Sequence, residues 1–382
     1  MDLQSVPAID AHSHPFPAST REITPTVLRD GISVSLRGET SNANETMLLS
    51  RLVVRELARL LDCDATFDGV VAARNAAARD DYPAYIKQLF ADAGITTLLV
   101  DHGYPAQPEL EFEPFADLLP HRPVQGYRIE RFFPFSGSFR GAGDPESFDT
   151  MLERFEAQLD RVVRDEGHRF YKSVMAYRTG LAIRPVDLED ARTAWKSHEA
   201  YGDAAEKVIR DYLFVVTARK AREHDVPFQL HTGHTSHVNI WPNTNPILLT
   251  PILNSSALDG VRLVLVHGGY PYCTEGGYLT SIYPDVYLDF SLMIPWSSAG
   301  VARRIHQTLE SAPLAKVMYG SDGIACPEIH WIGAIVGRRA LGRVLDDLMA
   351  EGFLSRREAQ DAAEDVLHGN AERVYGLPSV RE

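Results

Sequence analysis

Cysteine is scarce in this chain: Cys63, Cys273 and Cys326 are the only three in 382 residues, and they lie far apart. So few thiols argue against a disulfide framework and for a reducing compartment. None sits in a Cys-x-x-Cys pair, which argues against a structural zinc site. Long apolar runs are also missing, and nothing approaches the roughly 20 residues needed to span a bilayer. The N-terminus, Met1-Asp2-Leu3-Gln4-Ser5, has neither the basic region nor the apolar core of a secretion signal. A cytoplasmic protein with no membrane partner is expected. Positive charge is in deficit, with 38 Lys and Arg against 52 Asp and Glu, a net of −14. Phosphate contacts want Lys and Arg, so this balance argues against a general nucleic-acid binder. Neither an internal repeat nor a low-complexity tract nor an interdomain linker stands out.

What the chain does have is ordinary globular composition, 45% hydrophobic and 24% charged, and a regular alternation of strand-like and helix-like segments. Eight strand-like runs fall near 7–12, 95–101, 124–131, 169–176, 227–231, 261–267, 285–291 and 316–321. Several, such as Leu263-Val264-Leu265-Val266, are apolar without alternation, the pattern of strands buried on both faces of a parallel sheet. Asp149 to Glu166 carries Met151, Leu152, Phe155, Leu159, Val162 and Val163 on a helical stripe, and Ala205 to His224 is similar. Strands alternating with helices imply right-handed crossovers, and eight of them predict one (β/α)8 TIM-type barrel domain spanning 1–382. Residues 20–93 are too many for one barrel connection. Within them Ser35 to Thr46 reads as a loop, Met47 to Leu61 as a helix, and Asp81 to Ala93 as the first barrel helix. This helical insertion after the first strand is either a cap over the catalytic face or a subdomain at its side.

Metal-type side chains close several of the strands. His12 and His14 end the run Ile9-Asp10-Ala11-His12-Ser13-His14, and residues two apart in a strand share a face, so both imidazoles can serve one ion. His231, His267 and Asp322 end the fifth, sixth and eighth runs. Alone, a His-x-His pair is more often structural than metal-binding; the added strand-end ligands carry the metal reading. Imidazoles with a carboxylate suit one divalent ion, zinc first, with manganese or ferrous iron as alternatives. Asp322 can act as a ligand and as the proton shuttle, against the plainer reading of Ser321-Asp322-Gly323 as a turn. His267, before Gly268-Gly269, stands where an imidazole can polarise a carbonyl or stabilise an oxyanion.

With these motifs, and with FYKSVMAYRTGL at 170–181, QLHTGH at 229–234, VLVHGGYPY at 264–272, VYLDFS at 286–291 and YGSDG at 319–323, the chain resembles the amidohydrolase superfamily. The resemblance is to its metal-dependent hydrolase branch, which also contains decarboxylases of the amino-carboxymuconate-semialdehyde type. It is closer to the amidohydrolase domain fused to glutamine-synthetase-like domains in some fungal and plant proteins. It covers nearly the whole barrel and is weakest over 20–93. It implies His12, His14, His231 and Asp322 as metal ligands and His267 as a catalytic histidine. In binuclear members a fourth-strand lysine is carboxylated and bridges two metals, so Lys172 could bring in a second ion; a single metal is the reading favoured here.

Arg178, six residues past Lys172 and on the same face if the strand continues, has the planar fork that suits a substrate carboxylate. A salt bridge at the barrel rim is its alternative. His234 and Glu328 are the next candidates for substrate binding, and His237 could join them. His102, Glu130 and Trp241 read as pocket wall or ordinary structure. The expected activity is a metal-dependent amidohydrolase that cleaves a C–N bond, amide or γ-glutamyl-type, in a small carboxylate-bearing substrate by metal-activated water. Non-oxidative decarboxylation with the same metal set is the alternative, and a binding domain that keeps its ligands only as structure is a third. Whether the chain forms a homo-oligomer is left open.

Overall fold

Strands and helices alternate along the chain in the order the hydrophobic pattern predicts. The computed structural model describes residues 1–18, 22–33, 42–102, 111–132, 147–234, 238–324 and 326–380. Eight strands follow one another in sequence order in one parallel sheet: β1 (Ala8–Ser13), β2 (Ile95–His102), β3 (Val124–Arg128), β4 (Phe170–Ser173), β5 (Phe228–His231), β6 (Leu263–Val266), β7 (Val286–Asp289) and β8 (Val317–Met318). The fold is a (β/α)8 barrel. The chain divides into two compact units, 1–124 with 289–309 and 317–382, and 125–288 with 310–316.

The first unit carries β1, β2 and β8. Ala8 pairs with Ile95 and Ser13 with Val100, with irregularities in between. All six residues of β1 are buried, including Asp10 and His12. The long segment after β1 folds into four helices, Pro25–Ile32, Leu48–Leu61, Phe67–Asp80 and Tyr82–Asp92. Leu48–Leu61 and Tyr82–Asp92 match the expected helices; Pro25–Ile32 and the alanine-rich Phe67–Asp80 are additional to them. Thr66 caps it by accepting from Gly69 N at 3.0 Å, and Asp81 caps the next by accepting from Ala84 N at 2.9 Å. Tyr82–Asp92 packs against Pro327–Ala350, the helix that follows β8. Arg339 pairs with Glu56 at 2.7 Å, and Trp331 Nε1 donates to Asp92 at 2.8 Å. The insertion is therefore anchored to the barrel's last long helix.

The second unit carries the rest of the sheet. Its core joins helix-facing strand residues such as Tyr171, Phe228 and Leu265 to Phe155, Leu159 and Phe214 on the helices Phe148–Arg164 and Leu188–Glu223. Gly126 on β3 has a packing reason: a Cβ there would stand 2.0 Å from the Phe170 ring on β4. The helix Leu188–Glu223 is broken at Gly202 (φ 46°, ψ −118°), so the predicted 205–224 helix is its second half. β4 is shorter than its sequence suggested. It stops at Ser173, and Met175–Tyr177 form a 3-10 turn. Glu130 enforces that stop, since its buried carboxylate accepts from Ser173 Oγ at 2.8 Å and Val174 N at 2.9 Å.

Candidate metal centre

The end of β1 and the loop after β8 are sewn together by backbone hydrogen bonds. Asp322 N donates to His12 O at 2.8 Å, and His14 N donates to Gly323 O at 2.7 Å. Asp10 completes the seam. Its carboxylate accepts from Ser321 N at 2.8 Å and from the Ser321 hydroxyl, while that hydroxyl accepts from Gly323 N at 2.8 Å. Asp322 itself adopts a left-handed backbone (φ 55°), which a short polar side chain tolerates better than most. The outcome is a fixed aim for three donors. His12 Nε2 and His14 Nε2 each lie 3.3 Å from Asp322 Oδ1, and the three ligand atoms fall within 4.8 Å of one another.

His14 Nδ1 donates to the Asp101 carbonyl at 3.1 Å. A carbonyl only accepts, so this bond puts the proton on Nδ1 and leaves a lone pair on Nε2, the atom facing Asp322. Two imidazole nitrogens and a carboxylate oxygen, nearly enclosed and with one tautomer set from behind, fit a divalent cation by donor chemistry. Asp160, Glu223 and His224 also converge. There Lys220 holds Asp160 at 2.8 Å and Glu223 at 3.2 Å, and Arg164 holds Glu223 at 3.1 Å. That group is already neutralised as an ion-pair cluster.

His231, at the end of β5, belongs to a different arrangement in the second unit. Its Nε2 lies 2.8 Å from the His234 carbonyl and its Nδ1 lies 2.9 Å from His267 Nε2. Because the carbonyl accepts, His231 carries its proton on Nε2 and accepts at Nδ1 from His267. Tyr177 packs on the His231 ring at 4.5 Å between centroids. His267 sits just past β6 with φ 77°, followed by Gly268 at φ 61°; the glycine turn read from sequence is what aims this imidazole. Ligation through His231 Nε2 would replace its bond to the His234 carbonyl. His234 also stacks near Trp241, at 5.3 Å.

The other sequence candidates have varied positions. Lys172 is buried on β4, in register with Arg128 on one side and Gln229 on the other. Arg178 does not share its strand, because β4 ends five residues earlier and a turn intervenes. Burial first and the nearby Arg210 second lower its pKa, while Glu206 and Glu130 act in the opposite direction. Glu328 is fully buried. Its Oε1 accepts from Arg74 Nε at 3.0 Å and Tyr85 Oη at 2.8 Å, and its Oε2 from Cys326 Sγ at 2.8 Å. Both oxygens are held by the chain itself, so Glu328 fastens the insertion to the start of the last long helix. His102 ends β2 and packs against Phe112 at 5.6 Å. His237 lies outside the described residues.

Sequence reasoning missed His330. It is wholly buried, and neither ring nitrogen has a hydrogen-bond partner among the described residues. Phe16 and Phe90 flank it at 5.4 and 6.4 Å, and Asp10 Oδ2 is 3.9 Å from Nδ1. Burial, with His14 nearby, pushes its pKa down to about 3. Asp10 moves the opposite way, to about 7, because burial outweighs its hydrogen bonds from Ser321 and His12. Only the Asp-x-His-x-His order could have drawn attention to Asp10; nothing in the pattern of a buried helix marks His330.

Residues 194–377 match the amidohydrolase family model. Protein fluG of Emericella nidulans is 28% identical over 412 aligned positions, covering 98% of this chain but 46% of that protein. The chain thus spans about half the length of the curated relative it matches. Among solved structures, a protein described as a metal-dependent hydrolase from Lactobacillus casei superposes with a TM-score of 0.84 at 23% identity, over 98% of this chain and 97% of that one. Glucuronate isomerase from Caulobacter crescentus gives 0.69 at 18% identity, over 98% and 92%. Just under half of the chain thus matches the amidohydrolase family model, and the whole barrel is shared with these solved structures.

Proposed function

We propose that this enzyme hydrolyses a C–N bond, amide or γ-glutamyl-type, in a small carboxylate-bearing substrate. The observation that carries the reading is the convergence of His12 Nε2, His14 Nε2 and Asp322 Oδ1 within 4.8 Å of one another. These three would hold one divalent ion, zinc by preference for its nitrogen-rich donors, with His231 as the fourth ligand. Such an ion, when bound, activates a water and polarises a carbonyl.

The remaining chemistry belongs to the chain's own groups. Asp322, anchored through its backbone to His12, takes a proton at its carboxylate and delivers it to the leaving amine. His267 presents an N–H from Nε2, shared with His231 in the free enzyme, to the developing oxyanion. Arg178, through the forked donors of its guanidinium, binds the substrate carboxylate. Lys172 is left as a buried side chain of β4 in a one-metal centre; if carboxylated, it would bridge a second ion.

The test is a product assay. Protein loaded separately with Zn²⁺, Mn²⁺ and Fe²⁺ is offered N-acyl amino acids, γ-glutamyl amides and the matching carboxylic acids without an amide. Equimolar acid and amine are expected. Release of CO₂ with no amine would sink the hydrolase reading and establish decarboxylation. Metal analysis on the same samples separates one ion per chain from two.

A further inference from the structure

A concave site lies in the first unit, apart from His12, His14 and Asp322. A cavity of about 910 Å³ opens between the insertion helix Leu48–Leu61 and the helix Pro327–Ala350. Its volume is at the upper end of the roughly 300–1,000 Å³ usual for small-molecule sites. None of the metal-centre residues, nor Arg74 or Glu328, lines it.

The charge of this lining runs against that of the molecule. The chain carries a net −14, yet the cavity is lined by Arg51, Arg55, Arg339 and Arg343 against a single carboxylate, Glu45. The arginines come as two i,i+4 pairs, one from each helix. Like charges at that spacing repel, at roughly 0.2–0.5 kcal/mol per pair. Only Arg339 is compensated, by Glu56 at 2.7 Å. Arg51, Arg55 and Arg343 make no ion pair or side-chain hydrogen bond among the described residues. Between the two basic rows the wall is apolar, with Leu48 left 61% exposed and Val336 buried beneath.

Guanidinium groups recognise carboxylate and phosphate oxygens through paired N–H donors, and an apolar wall favours a hydrocarbon or ring. We propose that this cavity binds a small amphiphilic anion, an apolar body bearing a carboxylate or phosphate, at a site separate from the metal centre. The head group sits among Arg51, Arg55 and Arg343, and the body covers Leu48 and Val336. Arg339 stays paired with Glu56 and borders the site.

Calorimetric titration of the full chain tests this, below micellar concentration, with decanoate and octyl phosphate as probes. Acetate, inorganic phosphate and octyl glucoside supply the head groups and tail alone. One amphiphile is expected per chain, with each partial probe at least about tenfold weaker, and the better of the two amphiphiles identifies the head group. Arg51→Gln and Arg343→Gln should each weaken binding by about tenfold, while Arg357→Gln on an unrelated surface should not. Circular dichroism and melting checks that the variants are folded. No saturable binding, inorganic phosphate binding as tightly as octyl phosphate, or unchanged affinity in both arginine variants would each overturn the proposal. So would loss of the site in Asp322→Asn, which would place the anion at the metal centre.

Discussion

His14 donates from Nδ1 to the Asp101 carbonyl at 3.1 Å while its Nε2 stands 3.3 Å from Asp322 Oδ1. One hydrogen bond thus decides the tautomer, and the tautomer decides which nitrogen can face a cation. His12 Nε2 reaches the same oxygen at 3.3 Å, so a single carboxylate atom is the meeting point of both imidazoles.

Removing any member of this trio should therefore remove the ion. For His12→Ala, His14→Ala and Asp322→Asn, retained metal measured by elemental analysis after dialysis against a mild chelator should fall by more than about a hundredfold in affinity, since losing mere outer partners of ligands costs 10–100-fold. A full metal complement in Asp322→Asn would exclude that residue as a ligand. Turnover should fall in parallel in all three.

The His231–His267 pair separates two roles. His231→Asn should lose metal if that residue is the fourth ligand. In His267→Asn the ion should stay while kcat falls by roughly 10²–10³-fold, the usual effect of deleting an oxyanion donor. Metal loss from His267→Asn, or none from His231→Asn, would reverse the assignment. The readouts are metal stoichiometry and steady-state kinetics on the same preparations.

How legible was this in the sequence? The barrel was readable because its strands are buried on both faces: Leu263–Val266 is apolar at every position and buried at every position. The trio was readable because His12 and His14 stand two apart at the end of β1 and Asp322 follows the last strand-like run, in the loop after β8. What could not be read were relationships set by tertiary neighbours. Arg178 seemed to extend the face of Lys172, but the buried Glu130 carboxylate captures Ser173 Oγ and Val174 N and turns the chain away. Glu328 looked like a substrate residue near Asp322, yet its partner Arg74 lies 254 positions away in the insertion, the stretch where the family resemblance is weakest. His330 is one polar residue in a helix start that is otherwise packed, and only its surroundings make it unusual.

Those surroundings have a pH consequence. His330 has a folded-state pKa lowered from 6.5 to about 3. Between those values the unfolded chain binds a proton that the native one does not, so this group's contribution to stability is full above pH 6.5 and declines as pH falls toward 3. Asp10, raised from 3.8 to about 7, works with the opposite sign: the native state keeps a proton that the unfolded chain has lost, and stability declines as pH rises across that window. Replacing His330 by phenylalanine, a fit for its Phe16 and Phe90 neighbours, removes the His330 contribution and leaves that of Asp10 in place. The variant's urea-unfolding free energy should then vary less favourably with rising pH than the wild type's between pH 4 and 6, by at most about 1.4 kcal/mol per pH unit. Parallel curves for the two proteins would mean that His330 is protonated alike in both states.

Arg74 and Glu328 form a buried ion pair at 3.0 Å, with side chains 5% and 1% exposed. Burial alone would raise the Glu328 carboxyl, but Arg74, Cys326 and Tyr85 together hold its pKa below the usual carboxylate value. The pair joins the helix Phe67–Asp80 to the first turn of Pro327–Ala350, six residues past Asp322. Removing one charge strands the other away from water. Glu328→Gln and Arg74→Met should each lower unfolding free energy by about 3–5 kcal/mol, while Arg74→Met with Glu328→Leu should lose clearly less than the sum, because no uncompensated charge remains. Chemical denaturation of the four proteins completes the cycle. Metal content and kcat measured alongside decide whether the pair also steadies Asp322: if it does, the single variants lose turnover while folded. Additive losses in the cycle would mean that the two side chains stabilise the protein through separate contacts.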